Sequence, residues 1–145
     1  MKRNSRGFTL VEILIVVIIL GILAAIVIPQ FTNASSDART SSVQSTLQTM
    51  RGQIELFKIQ HGDLPPAATA LTTVLTGKTN AADTTTVVAT GTLGPYVQSF
   101  PVNPINGFAT VVNAAGTAAG WVYTVSGGQY TVSATDTTGT AALTY

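Results

Sequence analysis

The 145-residue chain contains no cysteine and few charged residues, and each of these shortages excludes certain kinds of site and function. Without cysteine it has no disulfide, no thiolate metal site and no lipoprotein attachment point. Charged residues make up only 9% of the sequence, against about 25% in an ordinary soluble domain. Histidine occurs once, at His61. The chain therefore has few groups that could serve as general bases or nucleophiles.

Catalytic and nucleic-acid-binding signatures are missing as well. The sequence has no Gly-x-Ser-x-Gly, no His-Glu-x-x-His and no glycine loop of the kind that binds phosphate. No basic stripe is visible, and phosphate backbones are bound through clustered Lys and Arg. We therefore predict that the chain is not an enzyme and that nucleic acid is not a partner.

The apolar residues are concentrated near the N-terminus, after three cations among the first six residues. In residues 8–28, only Thr9, Glu12 and Gly21 are not strongly apolar. As a helix, this run would span roughly 31 Å at about 1.5 Å per residue, which matches the ~30 Å hydrocarbon core of a bilayer. The cations predict that the N-terminal end stays in the cytoplasm and that everything after Pro29 faces outward.

Residues 7–12, Gly-Phe-Thr-Leu-Val-Glu, follow the short basic leader. This pattern resembles the cleavage and methylation motif of type IV pilins and type II secretion pseudopilins. The resemblance implies that a membrane prepilin peptidase cuts between Gly7 and Phe8 and methylates the new amino terminus of Phe8. It extends through Gly21 and Pro29, which stand where the family usually has a helix-weakening glycine and proline.

Glu12 is the residue least suited to a membrane segment, because a carboxylate is among the costliest groups in hydrocarbon. Cleavage would create a partner for it, the α-amine of Phe8, one helical turn away. In a filament, stacked helices would place Glu12 beside the Phe8 amine of a neighbouring subunit. A charge pair in low dielectric fixes register, because a slipped helix leaves both charges unpaired. The alternative is an unpaired carboxylate that reaches headgroup water.

Gly21 and Pro29 have two interpretations. Relative to alanine, glycine costs a helix about 1 kcal/mol and proline about 3 kcal/mol. Both residues are tolerated in lipid-embedded helices, so they could mark a simple kink. The family resemblance implies instead a stretch that melts when the subunit leaves lipid and enters a filament.

Beyond Gln30 the helical pattern continues to residue 61. Apolar residues recur at steps of four and three: Val43, Leu47, Met50, Ile54 and Phe57. This stripe predicts an amphipathic helix whose apolar face packs against a small sheet. Gly62 and the prolines that follow it end the helix. We interpret His61 as a helix-end residue that contacts the terminal carbonyls, and not as a metal ligand.

The C-terminal part predicts β-structure. Residues 121–125 and 129–133 flank a three-residue hairpin loop at 126–128. Further strands are predicted at 109–112 and 142–145, a short helix at 67–75, and an exposed loop or weak edge strand at 79–92. Trp121, Tyr123 and Val125 share one strand face and should cover the helix stripe. The fold class is α+β, with a long N-terminal helix packed by a small antiparallel C-terminal sheet.

Calcium binding is implied by the resemblance, because many major pseudopilins bind it. Calcium takes about six to eight oxygen ligands, often several carboxylates, and this chain has few acids in its loops. Asp83 and Asp136 are the candidate ligands. We expect that the chain binds no cofactor. The alternative is that it binds calcium.

The sequence thus predicts three segments. Residues 1–7 form a cleaved basic leader, and residues 8–61 form the long helix, of which 8–28 is the transmembrane and assembly segment. Residues 62–145 form a loop-rich head. The predicted location is the inner membrane, crossed once, with the head outside the cytoplasm and then in an extracytoplasmic filament.

The predicted function is that of a structural subunit of a pseudopilus-like filament in type II secretion. The alternative is a type IV pilin, major or minor, for adhesion, motility or DNA uptake. The short chain and the lack of the cysteine pair found in many pilins favour the pseudopilin. Asn103 and Ile105 replace an acid and an aromatic that major pseudopilins usually carry, which points the other way. Expected partners are identical or related pilin subunits, prepilin peptidase, an inner-membrane assembly platform and lipid.

Overall fold

The structure is a computed structural model that describes residues 7–114, 116 and 118–143. Most of the predicted leader and the end of the predicted last strand, residues 1–6 and 144–145, lie outside the described residues. The elements in chain order are α1 (Leu10–Gln60), α2 (Leu71–Thr76), β1 (Val111–Val112), β2 (Trp121–Ser126) and β3 (Gln129–Ala134). The α+β class predicted from the sequence is confirmed.

The chain divides into two compact units, Met1–Ala38 and Arg39–Tyr145. In the first unit, every large apolar side chain from residue 8 to residue 31 is more than half exposed. Among the described residues, α1 is the one helix that is long and apolar enough to cross a membrane. A continuous apolar surface of this size is stable only when lipid or another protein chain covers it.

The second unit has a hydrophobic core built on the predicted stripe of α1. Val43, Leu47, Met50, Ile54 and Phe57 are each exposed by 2% or less, so the amphipathic prediction is confirmed. The inward faces of the other elements complete the core with Leu71, Val74, Leu75, Trp121, Tyr123, Val132 and Ala134. Lys58 is buried as well, at 8% exposure, with its ammonium near Glu55, Asp63 and the Tyr130 ring.

The sheet has three strands in the order β1-β2-β3. β2 pairs with β3 antiparallel, as predicted, whereas β1 pairs with β2 parallel, with Val111 opposite Trp121. The sheet is therefore mixed, and the prediction of a purely antiparallel sheet was wrong. The connection at residues 113–120 is too long for a tight turn and returns the chain to the end at which β1 begins.

Two other details of the β-structure differ from the prediction. The hairpin loop has two residues, not three, because Ser126 pairs with Gln129. Gly127 and Gly128 have φ of 57° and 76°, and a two-residue loop with positive φ at both positions matches the twist of the strands. The predicted last strand is reduced, within the described residues, to one bridge between Thr135 and Ala142.

The segment between the helix and the sheet is mostly loop. The short helix predicted at 67–75 forms as Leu71–Thr76. The tract at 79–92 is a loop without a strand of its own, and one bridge joins Thr79 to Leu93. The first residue of this loop is held inside the fold, because Thr79 is fully buried.

Candidate processing and assembly site

The predicted cleavage point lies just before α1 begins. Gly7 and Phe8 have no regular secondary structure, and the Phe8 side chain is 84% exposed. A Cβ atom built on Gly7 would meet no other atom within 4 Å, so packing within the chain does not require glycine there. The bond between these residues is therefore accessible to a peptidase, and cleavage there stays a prediction.

Glu12 and Thr9 form a reciprocal pair at the start of α1. The backbone N–H of Thr9 and its hydroxyl each donate a hydrogen bond to Oε2 of Glu12, at 2.8 Å. In return, the backbone N–H of Glu12 donates to Oγ1 of Thr9 at 3.2 Å. This is a capping box, which satisfies amides that a helix start would otherwise leave unpaired. The prediction did not include it, although the Thr-x-x-Glu spacing was its signal.

Cleavage would leave this pair intact, because both residues lie after the cut. Both bonds to the carboxylate end on Oε2. Within the part of the chain that the structure describes, Oε1 of Glu12 has no hydrogen bond. No charged residue follows until Asp37, so Glu12 is the sole charge of the apolar run. One carboxylate oxygen can therefore cap the helix while the other receives an external donor.

Gly21 and Pro29 both lie inside α1, which is continuous from Leu10 to Gln60. Nothing lies within 4 Å of a Cβ built on Gly21. Proline lacks an N–H, so the ladder loses one bond at position 29. Beside it, the Thr32 hydroxyl donates to the Ile28 carbonyl at 3.1 Å. Gly21 and Pro29 thus lie in a continuous helix, and melting of the helical stretch between them stays a prediction.

His61 lies at the end of α1 and is 1% exposed. Its Nδ1 lies 2.8 Å from the Phe57 carbonyl, which can only accept, so Nδ1 carries the proton and donates. Nε2 lies 3.0 Å from the Thr79 hydroxyl. The imidazole also stacks on the Phe57 ring, with centroids 3.7 Å apart. The predicted carbonyl contact is confirmed, and both ring nitrogens are engaged within the fold.

The two calcium candidates lie in separate loops. Oδ1 of Asp136 accepts hydrogen bonds from the Thr138 hydroxyl at 2.8 Å and the Thr140 amide at 3.0 Å. These bonds, the hydroxyl bond first, lower the pKa of Asp136. The Asp83 amide donates to the Asn80 carbonyl. Among the described residues, no three His, Cys, Asp or Glu side chains form a group that could hold a metal. Calcium binding stays a prediction.

Asn103, which drew attention in the sequence only because it replaces an acid, is fully buried. Its side chain links the loop to the sheet through hydrogen bonds. Its Nδ2 donates to the carbonyls of Gly120 and Thr135, at 2.8 and 3.0 Å. Its Oδ1 accepts from the Ile105 amide at 2.9 Å. A carboxylate could not donate those two bonds, which explains why an amide, and not an acid, occupies this position.

The chain is similar to known proteins, above all in its N-terminal segment. Residues 2–28 match the prokaryotic N-terminal methylation motif. The chain is 34% identical over 65 residues to the type II secretion system core protein G of Dickeya chrysanthemi, a match covering 45% of this chain and 42% of the relative. Against protein G of Pseudomonas aeruginosa it is 34% identical over 64 residues, covering 44% and 45%.

A third relative is matched over more of the chain. The type IV major fimbrial protein FimA of Dichelobacter nodosus is 38% identical over 104 residues, covering 70% of this chain and 66% of the relative. The alignments thus span less than half of the two protein G relatives and just under two thirds of the fimbrial protein. No solved structure matches the chain.

Proposed function

We infer that this chain, which belongs through its N-terminal segment to the type IV pilin and type II secretion pseudopilin family, is the structural subunit of a pseudopilus-like filament. One observation carries the proposal: the uninterrupted exposed apolar surface of residues 8–31 begins beside an accessible Gly7–Phe8 bond and a single carboxylate. That surface fits first a lipid bilayer and then a bundle of identical helices.

Membrane storage comes before assembly in this account. The apolar segment crosses the inner membrane once, and the second unit lies outside the cytoplasm, because the cations of the leader hold the N-terminal end inside. Prepilin peptidase then cuts after Gly7 and methylates Phe8. Removing the three leader cations changes the formal side-chain charge from +1 to −2. The processed helix is then free of charges that would oppose packing against other helices.

Assembly through this helix needs more than its apolar surface. Lipid tails are as apolar as leucine, so moving the helix from bilayer to filament gains little hydrophobic free energy. Polar contacts must therefore set the register. Oε1 of Glu12 is available to the methylated amine of Phe8 in a neighbouring subunit, while Oε2 stays on Thr9. An inner-membrane assembly platform would deliver the subunit to this position.

The alternative, a type IV pilin, has its own support. The fimbrial relative matches 70% of this chain, so its similarity extends into the second unit. A protein G relative is matched over a similar share, 71% of the chain, but at 26% identity against 38% for the fimbrial relative. A pilin would assemble through the same helix and would differ in the machinery that extends and retracts it.

Deleting the gene in its host separates the two functions. We expect loss of extracellular enzyme secretion, with surface pili and twitching motility retained, and recovery when the gene is restored. Loss of sheared surface pili with normal secretion would support the pilin instead. Normal secretion together with normal pili would contradict both. Shearing followed by electron microscopy and secretion assays of culture supernatants provide the measurements.

A further inference from the structure

The two edges of the sheet differ in how they are covered. On β3, the Val132 carbonyl accepts from the Arg51 guanidinium at 3.3 Å, and the Ala134 carbonyl accepts from the Leu143 amide at 2.7 Å. For the residues of β1, no hydrogen bond outside the sheet occurs within the described part of the chain. Open strand edges readily accept another strand, and proteins usually cover them. Only the β3 edge is covered in this way.

The backbone of Val111 forms the open part of the β1 edge. The Thr110 carbonyl accepts from the Trp121 amide at 3.1 Å and so faces β2. Backbone groups of successive strand residues point to opposite sides, so the N–H and C=O of Val111 point away from β2. One donor and one acceptor are therefore ready for an added strand.

A groove runs beside this edge, with a volume of about 380 Å³. Ala68 and Thr72 line one wall, and Val111, Val112 and Ala114 line the other. Among the described residues, no charged side chain lines it. The groove therefore suits an extended, uncharged segment and disfavours a charged one, because a charge placed there would lose water without gaining a partner.

The same chain carries an exposed segment of this chemistry. Residues 84–88, Thr-Thr-Thr-Val-Val, are five consecutive β-branched residues, which favour strands, yet they belong to no strand. The segment is held at both ends: the Thr84 carbonyl accepts from the Ala67 amide, and the Val88 amide donates to the Lys78 carbonyl. Between these anchors, residues 85–87 are exposed, and within the described chain their backbone groups have no hydrogen bond.

We propose that, in the filament, residues 85–87 of one copy add as a strand to the open edge of β1 in the next copy. The proposal rests on the filament function above and names a second contact between subunits, outside the apolar helix. Strand addition supplies backbone hydrogen bonds, and the groove accommodates the Thr and Val side chains. The contact joins two different surfaces of the same chain, and such a head-to-tail contact repeats along a filament when the rotation between copies does not close a ring.

The contact is short, so it acts together with the helix packing. Three residues against a two-residue strand are too few to hold isolated second units together. Once the apolar helices are packed, the neighbouring units are held at high effective concentration, and a weak contact forms.

Engineered cysteines test the contact directly, because the chain has no cysteine of its own. Asn113→Cys, next to β1, is combined in turn with Thr85→Cys, Thr86→Cys and Val87→Cys, and filaments are oxidised before shearing. A disulfide needs Cα atoms about 4.4–6.8 Å apart with the side chains facing each other. Successive residues of a strand face opposite sides, so Thr85 and Val87 should behave alike and differ from Thr86.

We expect a covalent ladder on a non-reducing gel, with yield alternating along residues 85–87 by about fivefold or more. Asn113→Cys with Ser126→Cys, on the exposed hairpin end, is the matched control and should give no ladder. Each single variant should stay monomeric, whereas a mixture of Thr85→Cys and Asn113→Cys subunits should give dimers.

The outcomes separate this contact from the filament function. Normal filaments with no ladder, or with equal yields at residues 85–87 and in the control, overturn the strand addition and leave the filament function in place. Absence of filaments from the unmodified chain overturns both. Filaments with an alternating ladder support both.

Discussion

Glu12 is bound to Thr9 of its own chain before any neighbouring subunit reaches it. Two donors of Thr9, the backbone N–H and the hydroxyl, hold the same carboxylate oxygen at 2.8 Å. Charged hydrogen bonds of this kind are the strong ones, and they offset part of the cost of placing a carboxylate near lipid. One carboxylate oxygen is therefore capped within the chain, and in the proposed assembly the other receives the Phe8 amine of a neighbouring subunit.

The first prediction concerns the free carboxylate oxygen. Glu12→Val should insert in the membrane at least as well as the unmodified chain and should still be cleaved after Gly7. It should lower filament yield by about tenfold or more, because the Phe8 amine of the neighbour would be buried without its partner. Glu12→Asp should fall between the two, since its shorter side chain reaches less well.

The measurement is filament yield after shearing, with the cleaved fraction read on a gel as the control. Normal filaments from fully processed Glu12→Val protein would show that the carboxylate does not set the register.

The second prediction concerns the other half of the capping box. Thr9→Val removes the hydroxyl while keeping the shape, and Thr9→Ser keeps the hydroxyl. Losing a cap costs a helix about 0.5–2 kcal/mol, so amides of residues 10–13 should exchange faster in the valine variant alone. Hydrogen exchange of the micelle-bound protein measures this. Equal protection in the two variants would mean that the Thr9 hydroxyl does not stabilise the helix start.

The long helix and its buried face could be predicted because their signals are local and repeated. The five-residue stripe from Val43 to Phe57 recurs at helical spacing, and only one face of the helix satisfies it. Trp121 and Tyr123 lie two residues apart in a strand, which predicted that they share a face, and both are fully buried. Patterns of this kind depend on the chain's own periodicity, so tertiary contacts seldom overrule them.

The parallel pairing of β1 could not be predicted, because it depends on the path of a long loop and not on the strand's two valines. The role of Asn103 could not be predicted either, for a similar reason. Its three partners lie at residues 105, 120 and 135, and no local pattern brings those carbonyls and that amide together. The burial of Lys58 likewise follows from Asp63 and Tyr130, which only the folded chain places around it.

The third prediction tests Asn103 in a fragment beginning near Asn33, which we expect to be soluble and monomeric. Asn103→Ala removes three hydrogen bonds, and it leaves the Thr135 carbonyl and the Ile105 amide without their partner while the Gly120 carbonyl keeps its bond from the Thr135 amide. It should lower the free energy of unfolding by about 1–3 kcal/mol. Asn103→Asp should be worse at neutral pH, because it places a negative charge against two carbonyl oxygens. Acidification should recover part of this loss by protonating the new carboxyl.

Urea unfolding followed by Trp121 fluorescence measures these changes, since the indole is fully buried and its Nε1 donates to the Pro101 carbonyl. Gln129→Ala, an exposed strand end, is the matched control. Equal stability of Asn103→Ala and the control would contradict the assigned role.

The fourth prediction concerns the loop closed by Asp136. Hydrogen bonds from Thr138, Thr140 and Ala141 hold the pKa of this carboxyl below its ordinary value of 3.8. The stabilisation it gives is therefore present above that value and is lost as the pH falls through the lowered pKa. The Thr140 amide resonance should titrate with a midpoint below 3.8 in the unmodified protein and lose that transition in Asp136→Asn. A midpoint at or above 3.8 would contradict the assigned bonds.

The central claim is that the chain becomes a filament subunit by cleavage at Gly7–Phe8. Intact-mass and fragment analysis of the protein in sheared filaments tests it most directly. We predict a chain that begins with N-methylated Phe8 and lacks residues 1–7, while Gly7→Ile should leave the leader uncut and filaments absent. Filaments built from the uncut chain, or a processed chain that begins elsewhere, would contradict the account.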